Sequence, residues 1–334
     1  MATIVVQDSD LIYYLTGCHV EDGFALQTER GAYLLTDMRY YNAVKDNKMV
    51  TVLLLSEVPL LKLLNELNAN EVGLVMEYSS ATLYKELTDN GFKVFDATDD
   101  FYLKAKVKTQ EELSLLKQSA SICERAFLKV LPLIKEGVTE LELAGALEYN
   151  FKLLGASKPS FETIVAFGEG GAIPHYQTSS VKLTKNTPIL MDFGCVYKGY
   201  ASDMTRVVYY GEPTEEFLKR YNLVLSAHEL AYANANAGAL ACEVDGLVRK
   251  YFEKNGVLDL FTHSLGHGVG VKVHEKPRLS KLDSSRLENG NVFSIEPGLY
   301  FSGEYGIRIE DTVAVINGKC QTLFTIDKKL ITIQ

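Results

Sequence analysis

Acidic residues within apolar segments are the first feature of this sequence that points to chemistry. Glu296 lies in FSIEPGLY and Glu310 lies in GIRIEDT, two segments that otherwise read as largely apolar strands. Asp192 and Asp203 lie in a third such stretch, PILMDFGCVYKGYASDMTR. Burying a carboxylate without a nearby cation costs several kcal/mol even after the structure relaxes. These four acids therefore require cations close to them.

The spacing of the two aspartates predicts that they face the same side of a β-hairpin. A two-residue turn at Lys-Gly, residues 198–199, would place Tyr197 opposite Tyr200. Asp192 and Asp203 then become diagonal neighbours on one face of the paired strands, since side chains alternate along a strand. The sequence therefore places both carboxylates within reach of one ligand.

Two kinds of cation could neutralise the acids. Arg206 and Arg308 are close to them in the sequence and could pair with some of them. Divalent metal ions could instead neutralise all four. Paired carboxylates between two ions, about 3.5–4 Å apart, are typical of a hydrolytic centre that lowers the pKa of a water molecule.

A cluster of histidines favours the metal ions. The chain has only six histidines, and THSLGHGVGVKVHEKPR contains three of them, His263, His267 and His274. Glycines on both sides of His267 permit close backbone approach, and His175 follows a proline elsewhere in the chain. An oxygen-rich set with one imidazole suits Mn²⁺, Co²⁺ or Fe²⁺ better than a structural zinc ion.

The elements that would position these residues predict two domains. Residues 1–105 alternate strand-like and helical stretches, which indicates a small α/β domain with a parallel or mixed sheet. Residues 106–334 combine long helices with glycine-rich strands, which indicates an α+β domain of helices packed on an antiparallel sheet. The polar segment DATDDFYLKAKVK is predicted to be the linker.

Two capping boxes mark the first helices of the second domain. Thr109 is followed by Glu112 and Thr139 by Glu142, the spacing at which a side chain and a backbone N–H cap each other. The first of these helices is expected to end near Gly137, because glycine readily terminates a helix.

Composition and charge narrow the class of protein. The chain has 334 residues, 47% of them apolar, which is enough to bury a sizeable core. A net charge of −9 without a basic run argues against nucleic acid or an anionic membrane as the main partner. The start, MATIVVQDSD, lacks the features of a signal peptide, and the five scattered cysteines indicate reduced core residues. A cytoplasmic location is therefore expected.

These motifs together resemble the Xaa-Pro peptidases, the group of prolidase and aminopeptidase P. The segments MDFGCVYKGYASDMTR, HSLGHGVGVKVHEKPR, SIEPGLY and GIRIEDT match the family's motifs in order, and the resemblance covers nearly the whole chain. It implies a C-terminal pita-bread catalytic domain, of the kind shared with creatinase and methionine aminopeptidase. A creatinase-like N-terminal domain would precede it in the chain. The resemblance also implies peptide substrates with proline at the second position and a homodimer.

The resemblance assigns a metal role to each acid. Asp192 would chelate one ion, Asp203 and Glu310 would bridge two ions, and His267 would complete one coordination shell. Glu296 would be both a ligand and the group that takes the proton from the attacking water. Mn²⁺ is the expected metal, with Co²⁺, Fe²⁺ and Zn²⁺ as alternatives.

The resemblance also assigns substrate roles to the remaining candidates. His274 would hydrogen-bond the scissile carbonyl, and His175, a further catalytic candidate, would line the substrate site with His263. Arg278 and Arg308 occupy positions where the family carries arginine and are candidate substrate-binding residues. Their alternative role is structural, as partners of Glu310 or of each other.

Several alternatives remain open at this stage. A dipeptidase is favoured over an aminopeptidase because the chain is compact and HEKPRL resembles prolidases. A creatinase-like hydrolase without metals and a non-catalytic peptide-binding protein are the other possibilities, but the complete set of matched ligands argues against both. The chain departs from many relatives at Lys272, where an acid is common, and in having HSL before His267 where many prolidases have HRL.

Overall fold

The computed structural model describes residues 2–334, which divide into two compact units, the first ending at Ala105 and the second spanning Lys106–Gln334. None of the helices among these described residues is long and apolar enough to cross a membrane.

The first unit is an α/β unit built on a mixed six-stranded sheet. Its elements are β1 (Thr3–Val6), α1 (Ser9–Thr16), β2 (Gly23–Thr28), β3 (Gly31–Thr36), α2 (Met38–Val44), β4 (Thr51–Leu54), α3 (Leu60–Glu66), β5 (Glu71–Leu74), α4 (Ala81–Asp89), β6 (Lys93–Asp96) and α5 (Thr98–Ala105). The strand order is β4-β3-β2-β1-β5-β6, in which β1, β2 and β3 pair antiparallel and the outer pairs are parallel. Apolar side chains from both strands and helices form its core, among them Val5, Leu26 and Leu64.

The prediction that the segment DATDDFYLKAKVK is a linker is wrong about its local structure, because most of this segment forms helix α5. Thr98, Phe101, Tyr102 and Ala105 are buried, and their spacing of three and four residues places them on one face of that helix. The backbone N–H of Thr98 donates to Asp96 Oδ1 at the start of the helix. The many acids in the segment mask this short apolar pattern.

The second unit combines four helices with several small sheets. Its elements are α6 (Gln110–Val130), α7 (Glu140–Leu153), β7 (Lys158–Pro159), β8 (Ile164–Phe167), β9 (Thr187–Phe193), β10 (Cys195–Tyr197), β11 (Tyr200–Ala201), β12 (Met204–Tyr210), α8 (Glu215–Asn234), α9 (Ala241–Lys254), β13 (Gly266–Gly268), β14 (Glu275–Leu279), β15 (Val292–Ile295), β16 (Gly298–Phe301), β17 (Tyr305–Arg308), β18 (Asp311–Ile316), β19 (Lys319–Thr322) and β20 (Ile331–Ile333). The two larger sheets have the orders β20-β12-β9-β8 and β14-β13-β15-β18-β19. Pairing is antiparallel as predicted, except that β12 and β20 are parallel.

Both predicted capping boxes are present, at Thr109 and at Thr139. The expected end of the first helix is wrong, since α6 stops at Val130 and one 3₁₀ turn, Leu131–Leu133, follows. Pro132 lies in that turn, and a proline within a helix removes a backbone donor and clashes with the preceding turn.

The predicted hairpin has the register that places the two aspartates on one face. Tyr197 pairs with Tyr200 across the turn in the β10–β11 ladder, and Asp192 pairs with Thr205 in the β9–β12 ladder, which continues the same register. Lys198 and Gly199 both have positive φ, at 44° and 80°, which is the geometry of the two-residue turn that suits a twisted hairpin.

Candidate active site

One cavity of the second unit brings all of the predicted site residues together. Its volume is about 620 Å³, within the range of small-molecule sites. The predicted residues that line it are His175, Asp192, Asp203, His263, His267, His274, Arg278, Glu296, Arg308 and Glu310. A larger cavity of about 900 Å³ shares Tyr176 with it but contains none of these residues.

Three of the four acids lie where a strand ends or is interrupted. Asp192 is within β9, whereas Asp203 lies between β11 and β12. Glu296 directly follows β15, and Glu310 lies between β17 and β18. The backbone at two of these interruptions is still satisfied, since the N–H of Glu310 donates to the carbonyl of Thr205 at 3.1 Å and that of Glu296 to the carbonyl of Leu265 at 2.8 Å. The breaks aim the carboxylates into the cavity without orphaning the main chain.

His267 lies among the acids, and the lone pair on its Nε2 points toward their carboxylate oxygens. Its Nδ1 is 3.2 Å from the carbonyl oxygen of Gly268, which can only accept, so Nδ1 carries the proton. Nε2 is 3.3 Å from Glu296 Oε1 and 3.6 Å from Asp203 Oδ2. An imidazole lone pair facing carboxylate oxygens is repulsive unless a proton or a cation lies between them.

The donor set fits a divalent cation by two further criteria. Ligand atoms of Asp203, His267 and Glu310 all lie within 4.8 Å of one another. Asp192 Oδ1 and Glu310 Oε1 are buried, and neither has a hydrogen-bond partner among residues 2–334. Buried polar atoms are rarely left unpaired in native proteins. Coordination of a metal ion would satisfy both oxygens and the lone pair of His267.

The pKa values of the site show the electrostatic cost of the cluster without cations. Burial raises the pKa of Glu296 to about 8. Burial, together with the neighbouring acids, also raises the pKa of Asp203 and of Glu310 well above their ordinary values. Burial lowers the pKa of His267 to about 3, which keeps its imidazole neutral. A neutral imidazole is the form that binds metals.

Arg308 connects three groups of the site. Its Nη2 donates to Asp192 Oδ2 at 2.6 Å, its Nη1 to Tyr300 Oη at 2.7 Å and its Nε to Thr205 Oγ1 at 3.0 Å. Thr205 in turn donates to Glu310 Oε2 at 2.6 Å. The alternative in which Arg308 pairs with Glu310 is therefore wrong, because the direct ion pair is with Asp192 and Thr205 intervenes on the other side.

Tyr300 is a site residue that the sequence reasoning missed. The Nδ1 of His263 is 2.8 Å from the carbonyl of Ser264 and therefore carries a proton, so its Nε2 accepts from Tyr300 Oη at 2.8 Å. Arg308, Tyr300 and His263 thus form a chain of hydrogen bonds along one wall. The hairpin of β16 and β17 is the signal that could have identified Tyr300. Its register pairs Tyr300 with Gly306, and Arg308, two residues after Gly306, therefore lies on the same face as Tyr300.

Arg206 does not neutralise any of the four acids. Its side chain is fully buried, and its Nη2 donates to Asp311 Oδ1 at 2.7 Å. Its Nη1 donates to the backbone carbonyls of Thr205 and Glu310 at 3.0 and 2.6 Å. Arg206 therefore ties strand β12 to the segment that carries Glu310 without pairing with the carboxylate of that residue.

The remaining predicted residues lie at the more exposed part of the cavity. His274 has its ring centroid 4.2 Å from that of His267, and burial lowers its pKa. Arg278 and His175 are exposed along the cavity wall. Cys195 is buried outside this cavity, where its Sγ lies 3.7 Å from Ser119 Oγ, so it is a core residue and does not line the site.

An α/β chain whose second unit buries a carboxylate and imidazole cluster in a cavity is typical of metal-dependent hydrolases. The profile of metallopeptidase family M24 matches residues 114–317, and that of the creatinase/prolidase N-terminal domain matches residues 1–102. The chain belongs to metallopeptidase family M24, whose members are metal-dependent.

Relatives cover nearly the whole chain. It is 31% identical to an Xaa-Pro dipeptidase of Pyrococcus furiosus over 96% of this chain and 92% of that protein. A solved Xaa-Pro dipeptidase from Bacillus anthracis matches with a TM-score of 0.92 at 30% identity, covering 99% of this chain and 95% of that one. An X-Pro aminopeptidase from Thermotoga maritima matches with a TM-score of 0.90 at 32% identity, covering 100% and 98%. The predicted pita-bread fold and metallopeptidase class are confirmed.

Proposed function

We propose that this protein is an Xaa-Pro dipeptidase, which hydrolyses the peptide bond before proline in a dipeptide. The observation that carries the proposal is the pair of buried, unpartnered oxygens on Asp192 and Glu310 beside the lone pair of His267. The buried oxygens that line this cavity need cations as partners. In a metallopeptidase, a cavity of this kind is a site for metal-assisted peptide hydrolysis. The similarity to dipeptidases of the family supports the choice of substrate.

The proposed cofactor is a pair of Mn²⁺ ions. Five residues would hold the ions: Asp192, Asp203, His267, Glu296 and Glu310. Carboxylate-rich sites with one imidazole suit such ions better than thiolate-rich structural zinc sites do. Bound cations would supply Lewis acidity and lower the pKa of the attacking water.

The protein's own groups would then move the proton and hold the substrate. Glu296 takes the proton from the attacking water and passes it to the leaving proline nitrogen. Its Oε1 lies 3.3 Å from Nε2 of His267, so the carboxylate is within the ligand cluster and close to a water molecule held there. His274 donates to the scissile carbonyl and stabilises the negative charge that develops there.

The basic wall of the cavity would bind the rest of the dipeptide. Arg278 and His175, which line its exposed part, would attract the C-terminal carboxylate of the substrate, with which guanidinium groups make strong paired hydrogen bonds. His263 is held neutral, since burial lowers its pKa to about 4, and it would contact the substrate beside Tyr300. Arg308 is committed to Asp192 and would act on the substrate only through that carboxylate.

An Xaa-Pro aminopeptidase that accepts longer peptides is the second candidate. It is favoured by the match to the aminopeptidase of Thermotoga maritima, which is as similar in fold and sequence as the dipeptidases are.

A paired assay tests both candidates. The purified protein with Mn²⁺ is given Ala-Pro and Ala-Pro-Ala separately, and the release of free alanine is followed. Rapid cleavage of the dipeptide alone supports the dipeptidase. Cleavage of the tripeptide favours the aminopeptidase, and no cleavage of either substrate refutes both.

Four further properties belong to the same proposal. Residues 1–105 would act as an N-terminal domain and residues 106–334 as the catalytic domain. The protein would also form a homodimer, and sedimentation at micromolar concentration tests this oligomeric state. A cytoplasmic location is supported by five free cysteines, four of them buried. Small proline-containing peptides, and neither nucleic acid nor membrane, would be its partners.

A further inference from the structure

An ion pair between Lys108 and Glu275 lies in the interior of the second unit. Lys108 Nζ is 2.6 Å from Glu275 Oε2, and each side chain is only 2% exposed. Removing both charges from water costs several kcal/mol per ion, so a buried pair of this kind is a poor way to stabilise a protein. The pair is therefore expected to act by holding the residues around it in place.

The carboxylate of Glu275 closes the loop that begins after β13. Its Oε1 accepts the backbone N–H of Lys272 at 3.0 Å, and the N–H of Gly270 donates to the carbonyl of Lys272 at 2.9 Å. The carboxylate also packs directly over Gly270, where a Cβ atom would lie 2.4–2.6 Å from its atoms. Glu275 therefore fixes the backbone of the segment that ends at His274.

Lys108 provides a fixed point for that carboxylate. Its backbone N–H donates to the carbonyl of Gly290 at 2.8 Å, and the next residue, Thr109, is the N-cap of the long helix α6. Val107 forms a bridge to Asn291, at the start of the strand segment that leads to Glu296. The lysine is thus anchored on both sides, and its ammonium group holds Glu275 at a defined position.

We propose that the Lys108–Glu275 pair is a positioning pair that sets where the imidazole of His274 lies in the cavity. His274 directly precedes Glu275, so a shift of the carboxylate moves the backbone from which the imidazole projects. The proposal rests on the proposed function, in which His274 donates to the scissile carbonyl. Neither member of the pair touches the substrate, and both act through His274.

Three variants disturb the pair from different directions. Glu275→Gln keeps the shape of the side chain and removes its charge, and Lys108→Met removes the ammonium group. Gly270→Ala displaces the carboxylate without changing any charge, because the added methyl group occupies its place. Lys106→Met is the matched control, since Lys106 pairs with the half-exposed Glu288 at 2.8 Å two residues earlier in the chain.

Each of the three variants is expected to lower kcat for Ala-Pro about tenfold or more while changing KM less than about twofold. The reason is that misplacing a transition-state donor by about 1 Å costs rate, whereas ground-state binding is retained. The affinity of the metal-free protein for Mn²⁺, measured by calorimetry, should stay unchanged, and Lys106→Met should behave like the parent protein. Unchanged kcat in Glu275→Gln and Gly270→Ala would overturn the proposal.

A double variant separates positioning from stability. Lys108→Met with Glu275→Leu replaces the ion pair by apolar groups, which is often neutral or stabilising. We expect its free energy of unfolding to recover relative to Lys108→Met while its kcat stays low. Recovery of kcat together with stability would mean that the pair serves only the fold.

Amide hydrogen exchange supplies a readout that needs no activity. Peptides covering residues 266–279 should exchange faster in Glu275→Gln than in the parent protein or in Lys106→Met. If the parent protein fails to cleave Ala-Pro, the proposed function fails, whereas exchange still tests the loop. Unchanged exchange in this region would refute the positioning role in either case.

Discussion

Removing metal ions from this protein should make its stability fall as the pH rises through neutrality. Burial raises the pKa of Glu296 to about 8 in the folded protein, whereas the same group titrates near 4.5 when it is exposed. The folded state therefore binds more protons than the unfolded state between these values, and the free energy of unfolding decreases as the pH increases. Asp203 and Glu310 have raised pKa values and act in the same direction.

The window for the measurement is set by the histidines. Burial lowers the pKa of His263 to about 4 and that of His267 to about 3, so these groups add stability as the pH rises toward 6.5 and oppose the acids there. The unfolded histidines are still half protonated at pH 6.5, so the contribution of each one rises by a further amount of about 0.4 kcal/mol before it levels off near pH 8. Between pH 6.5 and pH 8, Glu296 alone should lower the free energy of unfolding by about 2 kcal/mol, from about 1.4 kcal/mol per pH unit.

Urea unfolding of chelator-treated protein at several pH values between 6.5 and 8 measures this slope. Glu296→Gln should remove about 2 kcal/mol of the decrease, because an amide does not titrate. Excess Mn²⁺ should abolish the decrease in the parent protein, since bound cations favour the ionised carboxylates. If metal-free Glu296→Gln lost as much stability over this window as the metal-free parent protein, the account of the buried acids would be refuted, because the histidines contribute equally to both proteins.

Further predictions concern single side chains of the site. Arg308→Met leaves Asp192 buried without its partner and should lower the free energy of unfolding of the metal-free protein by about 3–5 kcal/mol, which urea titration measures. Asp203→Ala should fold but lose metal and activity, and metal analysis that found two full equivalents would contradict the ligand assignment. His274→Ala should retain metal and lose turnover by about 10² or more, so unchanged kcat would exclude it from the chemistry.

The sequence predicted those parts of the site that local rules determine. The turn at Lys198 and Gly199 fixes the register of its hairpin, and that register alone places Asp192 and Asp203 on one face. The capping boxes at Thr109 and Thr139 were equally readable, because both partners of each box lie three residues apart. In each case the determining contact is short in sequence.

Contacts between segments that are far apart in the chain could not be predicted from the sequence. The bond from Thr205 to Glu310 and the pairing of Arg206 with Asp311 join residues that only the folded sheets bring together. Arg308 was recognised as a candidate, but its partner depends on which strand lies opposite in space. The helix at Thr98–Ala105 was missed for a different reason, since its charged surface hides a narrow apolar face.

The wide separation of the site residues along the chain has a consequence for the order in which the protein assembles. Two long helices, α8 and α9, and several strands lie between Asp203 and Glu310, yet their carboxylates share one buried cluster. Closing such long loops is slow, because the entropy is lost before the distant contacts form. The cluster should therefore be completed only late in folding. During synthesis, a nascent chain that has not yet reached Glu310 should bind metal no better than an unfolded peptide.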